Sequence, residues 1–553
     1  MVINKTKTDS ERSNNLISWL ILAIILLLVV VIRIRILEIP LERDEGEYAY
    51  CGQLLLQMIL PFKEVYTMKL PGTCLAYSLI MLLFGQTIKG IHLGLLLVNC
   101  LSIILLFLIT RKLLNYRAAL ITALVYAVLS VSPTVLGFAA HATHFIVLFA
   151  LAGTYLLLIC LENGRPVLYL ASGLFFGLAF LMKQQGIFFV LFGGYAILHA
   201  GLVSRPVSKK KIAARFLIFA AGCITPLLLV MAIALLSGAF DKFWFWTFRY
   251  SAIYASTIPL NLGLESFYKN SMEAINGFAI LWITAAIGFL ILITDRRLRD
   301  LRGIIISFSV LSFLAVSAGL YFRKHYFIML LPAVAILMGI CIDSLQRYLS
   351  QKGSSRLLIS LPLLILLLGI VLGINTHQGY FLYDPPETLV KDAYDPDHPF
   401  PEALKMAEFL KSRTTPEDKI AVLGSEPEIL FYAQRRSATG YIYTYELMRN
   451  HDYSLPMQQE MIGEIEQASP KFLIFFAIFN SWLIHPDSKM LIFNWFHDYA
   501  KKYYRLVGRV ELVPGGESRY LWGDAARSSE LESPSAILIY ERRQGSAEGE
   551  YNN

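Results

Sequence analysis

Charge is scarce in this chain. Asp, Glu, Lys and Arg make up 16% of its 553 residues, against 56% hydrophobic ones. That balance excludes an ordinary soluble enzyme, and a mean hydropathy of +0.55 requires lipid contact over much of the chain. Cysteine is scarce too. The six cysteines include none in about the last two hundred positions, so there is no disulfide framework and no CxxC metal spacing. Cys51 and Cys74 fall on one outer face and could pair, but read rather as two buried free thiols. Phosphate-loop and dinucleotide fingerprints are missing, which argues against a nucleotide pocket. No internal repeat is visible.

The formal charge of +8 does not mark a nucleic-acid binder, because Lys and Arg occur in short tracts between apolar runs, as membrane topology demands. A helix needs about 20 apolar residues to cross the hydrocarbon core. Runs meeting or approaching that length lie near 16–37, 88–110, 117–137, 144–161, 167–182, 185–203, 214–237, 276–294, 303–321, 326–346 and 356–375. The first lacks a small-residue cleavage site and reads as a retained span. The loops then set direction. Arg111, Lys112 and Arg117; Arg205, Lys209, Lys210, Lys211 and Arg215; Arg296, Arg297, Arg299 and Arg302; and Arg347, Lys352 and Arg356 all fall on the cytoplasmic side if the N-terminus is inside. An odd count places the C-terminal segment outside. Residues 71–85 are expected as a juxtamembrane or re-entrant helix within the first outer loop, 38–87.

Beyond residue 375 the character changes. Prolines 385, 386, 396, 399 and 401 punctuate a linker over 376–400. Residues 401–545 then read as a small α/β domain, with a helix at 401–413 and strands at 419–423, 472–476 and 536–540. A frayed tail is expected from Gln544, with 546–553 disordered. The expected fold class is thus an α-helical polytopic membrane protein of about eleven spans, carrying a small C-terminal α/β domain outside the membrane.

The residues able to do chemistry gather on the side opposite the basic loops. The first outer loop opens with Arg43-Asp44-Glu45-Gly46-Glu47-Tyr48 and continues to Lys69-Leu70-Pro71-Gly72. Asp44 and Glu45 suit the N-terminus of a helix over 46–60. His141 and His144 follow the third span, Lys183 the fifth, and Arg323 with His325 the ninth. Charges near a bilayer are expensive unless paired or used, so their convergence supports a site. A carboxylate there can deprotonate an acceptor while Lys and Arg hold an anionic leaving group. The outer loop at 238–277 adds Phe243, Trp244, Trp246, Arg249 and Tyr254, which suit an interfacial belt and equally a groove for a prenyl chain.

The order of these motifs resembles the membrane-embedded GT-C glycosyltransferases of the protein mannosyltransferase family (glycosyltransferase family 39) and the bacterial lipid A aminoarabinose transferases. Those enzymes carry an Asp-Glu pair and a Lys-x-Pro-Gly element in the first outer loop. His325-Tyr326 leading to Leu330-Leu331-Pro332 resembles a segment of many bacterial members, and Val422-Leu423-Gly424 with Pro427-Glu428 the start of their outer domain. The resemblance implies an integral glycosyltransferase that moves a sugar from a polyprenyl-phosphate-linked donor to a lipid, glycan or protein acceptor on the outer face of the cytoplasmic membrane. It implies Asp44 as base or orienting group with Glu45 as its neighbour. It also implies Lys69 on the donor phosphate, with Lys183, Arg249, Arg323 and His325 in the same cradle. Many members place a second acid where this chain has His141 and His144. If these align, that carboxylate is missing and a carboxylate-rich metal site is disfavoured. No cofactor follows from the sequence, and spacing alone does not establish a divalent cation held by His and Asp. Three other readings share the composition. A transporter or flippase would carry charges inside its spans; a lipid-diphosphate glycan ligase or polymerase would lack the Asp-Glu loop; a scaffold would need none of these groups.

Overall fold

The computed structural model describes residues 9–204, 207–394, 397–513 and 516–543. Arg205, Pro396 and the tail from Gln544 lie outside the described residues. Each of the eleven apolar runs forms a helix. They are α1 (Asp9–Arg35), α4 (Ile88–Leu113), α5 (Tyr116–Ser130), α6 (Ala142–Asn163), α7 (Pro166–Met182), α8 (Ile187–His199), α9 (Lys209–Leu236), then Ala279–Thr294, Arg299–Ser317, Leu331–Gln351 and Arg356–Thr376. Among the described residues, eight helices are long and apolar enough to cross a membrane singly. Two of the eleven, α5 and α7, are shorter, and Ala279–Thr294 meets the Leu260–Ile275 helix at a bend of 109°. Gly277 makes that bend at φ 74°, a backbone region glycine enters without steric cost. Rows of exposed leucines, including Leu217, Leu228 and Leu229 on α9, form the lipid-facing surface.

Two spans differ from the expected limits. The run at 117–137 stops as helix at Ser130, because Pro133 follows closely and disfavours helical backbone before it. A short 3-10 turn, Pro133–Val135, then leads to a loop ending at His141. The run at 326–346 begins as helix only at Leu331, where Pro332 takes a first-turn position that needs no amide hydrogen. Lys324–Met329 is instead a tight 3-10 segment. The stretch 376–400 is not bare linker but holds a helix, Pro386–Ala393.

Two further helices fill the first loop: α2 (Arg43–Leu56), and α3 (Gly72–Phe84), whose Leu75, Leu79, Leu82 and Leu83 remain exposed as a membrane-bordering helix would leave them. The expected helix over 46–60 therefore starts three residues earlier, on a capping box in which Glu42 and Glu45 each accept the other's backbone N–H.

The C-terminal unit is a six-stranded mixed sheet of order β2-β1-β3-β6-β4-β5. The strands are β1 (Lys419–Leu423), β2 (Arg436–Ser437), β3 (Phe472–Ala477), β4 (Tyr504–Glu511), β5 (Arg519–Trp522) and β6 (Ala536–Arg542). β1 and β3 pair in parallel, so a crossover must link them, and the helices between 428 and 468 supply it. β4 and β5 escaped the sequence reading because they lie towards the antiparallel edge and are less uniformly apolar.

The sheet unit is clamped to α2. The Arg43 guanidinium pairs with Glu426 at 2.6 Å, the Leu41 amide donates to the Tyr432 hydroxyl at 2.8 Å, and the Ser437 amide donates to that of Tyr50 at 2.8 Å. Gly46 permits this approach: a Cβ there would lie 2.5 Å from the Glu428 backbone nitrogen. Gly46→Ala should therefore force two backbones apart and cost about 1–3 kcal/mol. Thermal unfolding of the purified protein measures this, and an unchanged midpoint would contradict the packing.

Candidate functional site at the bundle–sheet junction

The N-terminus of α2 places Asp44 and Glu47 one turn apart on the same face, as the i, i+3 spacing requires. Lys69 lies between them. Its ammonium is 2.7 Å from Asp44 Oδ1 and 2.5 Å from Glu47 Oε2, and it rests 4.5 Å above the Tyr48 ring. The approach is set by Gly72, whose missing side chain lets the chain touch the end of α7: a Cβ would lie 2.4 Å from the Leu181 carbonyl oxygen. Thr73 hydroxyl donates to the Met182 carbonyl at 2.8 Å, and the Gln184 side chain to that of Met68 at 2.8 Å. These bonds hold Lys69 beside Lys183.

Asp44 Oδ1 also accepts from the Tyr443 hydroxyl at 2.8 Å, so the sheet unit reaches into the site. Burial alone would raise the Asp44 carboxyl. Lys69, helped by Lys183, outweighs it and holds Asp44 well below the usual carboxylate range. Glu47 is raised by burial and by Asp44, against the pull of Lys69.

Glu45 does not face this cavity. Besides the capping box, its Oε1 accepts the Ala140 amide at 2.7 Å and lies 3.1 Å from His92 Nε2. That bond belongs to a set that pins the 131–141 loop. Arg33 of α1 donates to the Gly137 carbonyl at 2.8 Å, and Tyr77 of α3 to that of Ala140 at 2.8 Å. The result is that His141 projects towards Asp44, with Nδ1 3.9 Å from Oδ2 and 3.6 Å from Glu42 Oε1. His325, held by the Lys324–Met329 turn, stacks on His141 with ring centroids 3.9 Å apart and planes 15° apart. Burial pushes His141 down to about 4 and His325 well below its usual value, so both rings are neutral. One donor atom each of Asp44, His141 and His325 lies within 4.8 Å of the others, a spacing from which a group of this kind could hold a metal ion. His144 is turned away, its ring hydrogen-bonded to the Gly137 backbone.

Beyond this group lies a cluster of cations around Tyr254. The Arg323 guanidinium hydrogen-bonds the phenol. Arg449, from the sheet unit, lies 4.6 Å above the Tyr254 ring and donates to the Tyr321 hydroxyl at 3.1 Å. Lys183 sits 4.4 Å above the Tyr326 ring and 3.4 Å from its hydroxyl. Burial would raise the Tyr254 phenol, yet Arg323, Arg449 and Lys183 bring it below its ordinary value. Among the described residues, no carboxylate lies within ion-pair distance of any of these three cations. Burial likewise pushes the Lys183 ammonium down to about 8. Three positive groups without a negative partner make a site for an anion. Arg249, expected in the same cradle, is exposed and stacks over Tyr453 at 5.4 Å.

Of the residues singled out in the sequence, the fold brings Asp44, Lys69, His141, Lys183, Arg323 and His325 together. The sequence reading noted the acidic run containing Glu47 without assigning that residue a role, though the three-residue spacing from Asp44 was the available signal. Tyr254 was legible only as one aromatic among many. Tyr443 and Arg449 carried no local signal. The same holds for Glu446, a buried carboxyl pushed up to about 7 by burial, with an oxygen that has no partner.

Residues 70–231 match the family model described as dolichyl-phosphate-mannose-protein mannosyltransferase. No curated protein matches the chain in sequence. Among solved structures, the chain is similar to ArnT from Cupriavidus metallidurans bound to undecaprenyl phosphate, with a TM-score of 0.60 and 13% identity over 94% of this chain and 97% of that one. The apo form of the same enzyme gives 0.57 at 14% identity, covering 94% and 97%. The archaeal oligosaccharyltransferase AglB from Archaeoglobus fulgidus, in complex with an inhibitory peptide and a dolichol-phosphate, gives 0.55 at 13% identity, covering 95% and 76%. The expected resemblance holds: the chain has the GT-C fold of these membrane glycosyltransferases, a helical bundle bearing a small C-terminal sheet domain.

Proposed function

We propose that this chain, built on the GT-C glycosyltransferase fold, transfers a sugar from a polyprenyl-phosphate donor to an acceptor hydroxyl or amine at the membrane face that bears the sheet domain. In this reading that face is the outer one of the cytoplasmic membrane, because the Lys and Arg tracts at 111–117, 209–215, 296–302 and 347–356 sit at the opposite helix ends. The observation that carries the proposal is an ionised carboxylate, Asp44, facing three cations that lack carboxylate partners.

In this reading Lys183, Arg323 and Arg449 hold the donor phosphate while its prenyl tail stays in lipid. The acceptor oxygen or nitrogen attacks the anomeric carbon, and the bond from that carbon to the phosphate oxygen breaks. The phosphate leaves with the bonding electrons, its charge met by the cations, and the acceptor proton passes to Asp44. Lys69 is the counter-ion that keeps Asp44 charged and oriented, and not a contact of the phosphate.

Binding of a radiolabelled polyprenyl phosphate to the purified full-length protein tests the cradle. Arg323→Ala and Arg449→Ala should each weaken binding about tenfold or more, in line with about 1.5–3 kcal/mol for a charge-assisted hydrogen bond. Affinity should fall as pH rises through about 8, where the free Lys183 amine loses its proton. Unchanged affinity in both variants would overturn the assignment. A clear preference for a polyprenyl diphosphate would shift it to a ligase or polymerase.

A further inference from the structure

The structure assigns Glu446, Tyr250 and Trp246 as a subsite for the hydroxyl groups of the donor's sugar ring, given that Lys183, Arg323 and Arg449 hold the donor phosphate as proposed. Glu446 belongs to the sheet unit. Tyr250 and Trp246 come from Phe245–Tyr250, a π-helical stretch in the loop after α9. Such wide turns are rare and frequently mark functional sites. Tyr443 and Arg449 stand three residues to either side of Glu446. The Tyr443 hydroxyl donates to Asp44 at 2.8 Å, and Arg449 donates to the Tyr321 hydroxyl at 3.1 Å. One short segment thus runs from the acid to the cations, with Glu446 between them. A sugar joined through one oxygen to a phosphate on Arg449 falls in that interval.

Each of the three residues carries a buried polar atom with no hydrogen-bond partner among the described residues. These atoms are Glu446 Oε2, the Tyr250 hydroxyl and Trp246 Nε1. Their residues are 5%, 0% and 2% exposed. Buried polar groups are nearly always bonded, so three orphans in one neighbourhood point to a polar ligand. The neighbourhood is shared. The Trp246 and Tyr250 rings are 5.1 Å apart, and Tyr250 packs 5.2 Å from the His451 ring. His451 Nε2 in turn donates to the Glu446 carbonyl at 2.9 Å. Burial pushes the Tyr250 phenol up, and the nearby Glu446 charge adds to that push.

The chemistry of the three atoms selects the ligand. An indole N–H only donates, an ionised carboxylate only accepts, and a phenol does both. Sugar hydroxyls donate and accept, so one ring can answer all three. A phosphate cannot, because its oxygens accept only and Glu446 repels them. The walls suit a ring as well. Tyr66 stacks on Trp246 with centroids 6.1 Å apart and planes 15° apart, and Tyr441 lies 5.9 Å from Trp246. The Tyr66 and Tyr441 hydroxyls are held by Glu464 at 2.7 Å and Glu460 at 2.5 Å, which fixes both faces. Aromatic faces with a few fixed polar groups are the usual make-up of a small-ligand pocket. The class of ligand is a neutral sugar with free hydroxyls.

Binding of glycosyl and bare lipids to the full-length protein tests the subsite. The probes are polyprenyl phosphates carrying glucose, mannose, galactose or xylose, beside the bare polyprenyl phosphate. In unmutated protein the tightest and weakest glycosyl lipids should differ about tenfold or more, because fixed polar groups reject a misplaced or missing hydroxyl. Tyr250→Phe and Glu446→Leu should each lower affinity for the tightest glycosyl lipid, relative to the bare lipid, about tenfold or more. A merely structural role would move both lipids together, so an unchanged ratio in both variants overturns the subsite. Equal affinities for all the glycosyl lipids in unmutated protein do so too, and that result needs no variant to fold. Bare lipid bound without discrimination among sugars removes only the subsite. No lipid bound at all removes the phosphate cradle, and the subsite with it.

Discussion

Asp44→Asn is expected to give a protein that inserts and folds, still binds a polyprenyl phosphate, and turns over about 10²–10⁴-fold more slowly. Asn keeps the shape and can still accept the Tyr443 hydroxyl, while Lys69 retains Glu47 at 2.5 Å as its counter-charge. What disappears is the negative charge that takes the acceptor proton. The Tyr254 cation cluster is untouched, so donor binding should stay within a few-fold of the unmutated value. Single-turnover sugar transfer, read beside lipid binding on the same preparation, measures both. Turnover within about threefold of the parent would remove Asp44 from the reaction. Glu45→Gln is the internal contrast. Its carboxylate serves the helix cap, the Ala140 amide and His92, so the change should lower thermal stability and leave the rate per folded molecule much closer to the parent.

Arg43→Met is expected to give the largest loss of stability. Glu426 is fully buried, and among the described residues its carboxylate meets the Arg43 guanidinium and the Ser481 hydroxyl. Arg43 also donates to the Ser425 carbonyl and stacks within 5.2 Å of the Tyr445 ring. Removing one partner of a buried pair leaves an uncompensated charge, which costs about 3–5 kcal/mol. The break falls on the junction between α2 and the sheet unit, so the sheet unit should become protease-sensitive before the bundle unfolds. Thermal unfolding together with timed proteolysis separates the two events. Arg43→Met with Glu426→Leu should recover much of the loss, because the stranded charge is then gone. A single variant as stable as the parent would show that the pair does not hold the two units together.

The two experiments bear on different parts of one arrangement. Asp44 and Arg43 are neighbours in sequence, yet one faces the cavity and the other the sheet, because successive helical residues point about 100° apart. Position in a motif therefore says little about role. Glu45 stands between Gly46 and Asp44 in the same acidic run, but the helix turns it into the bundle, where it ties α2 to α4 and to the loop that carries His141.

The sequence by itself determined the membrane class and the eleven apolar helices. Hydropathy and the cost of burying charge act locally, residue by residue, and leave their record in the order of amino acids. The same local rules foretold β1, β3 and β6, each built around a short apolar run. Only the tertiary structure decided which polar groups meet. Lys69 is matched to Asp44 and Glu47 because Gly72 lets its loop close on α7. His141 reaches Asp44 because Arg33, Tyr77 and Glu45 hold its loop from three helices. Arg449 and Tyr443 enter from the sheet unit, some four hundred residues from Asp44 in the chain. Such meetings depend on how whole helices and a sheet pack, and no short stretch of sequence records them.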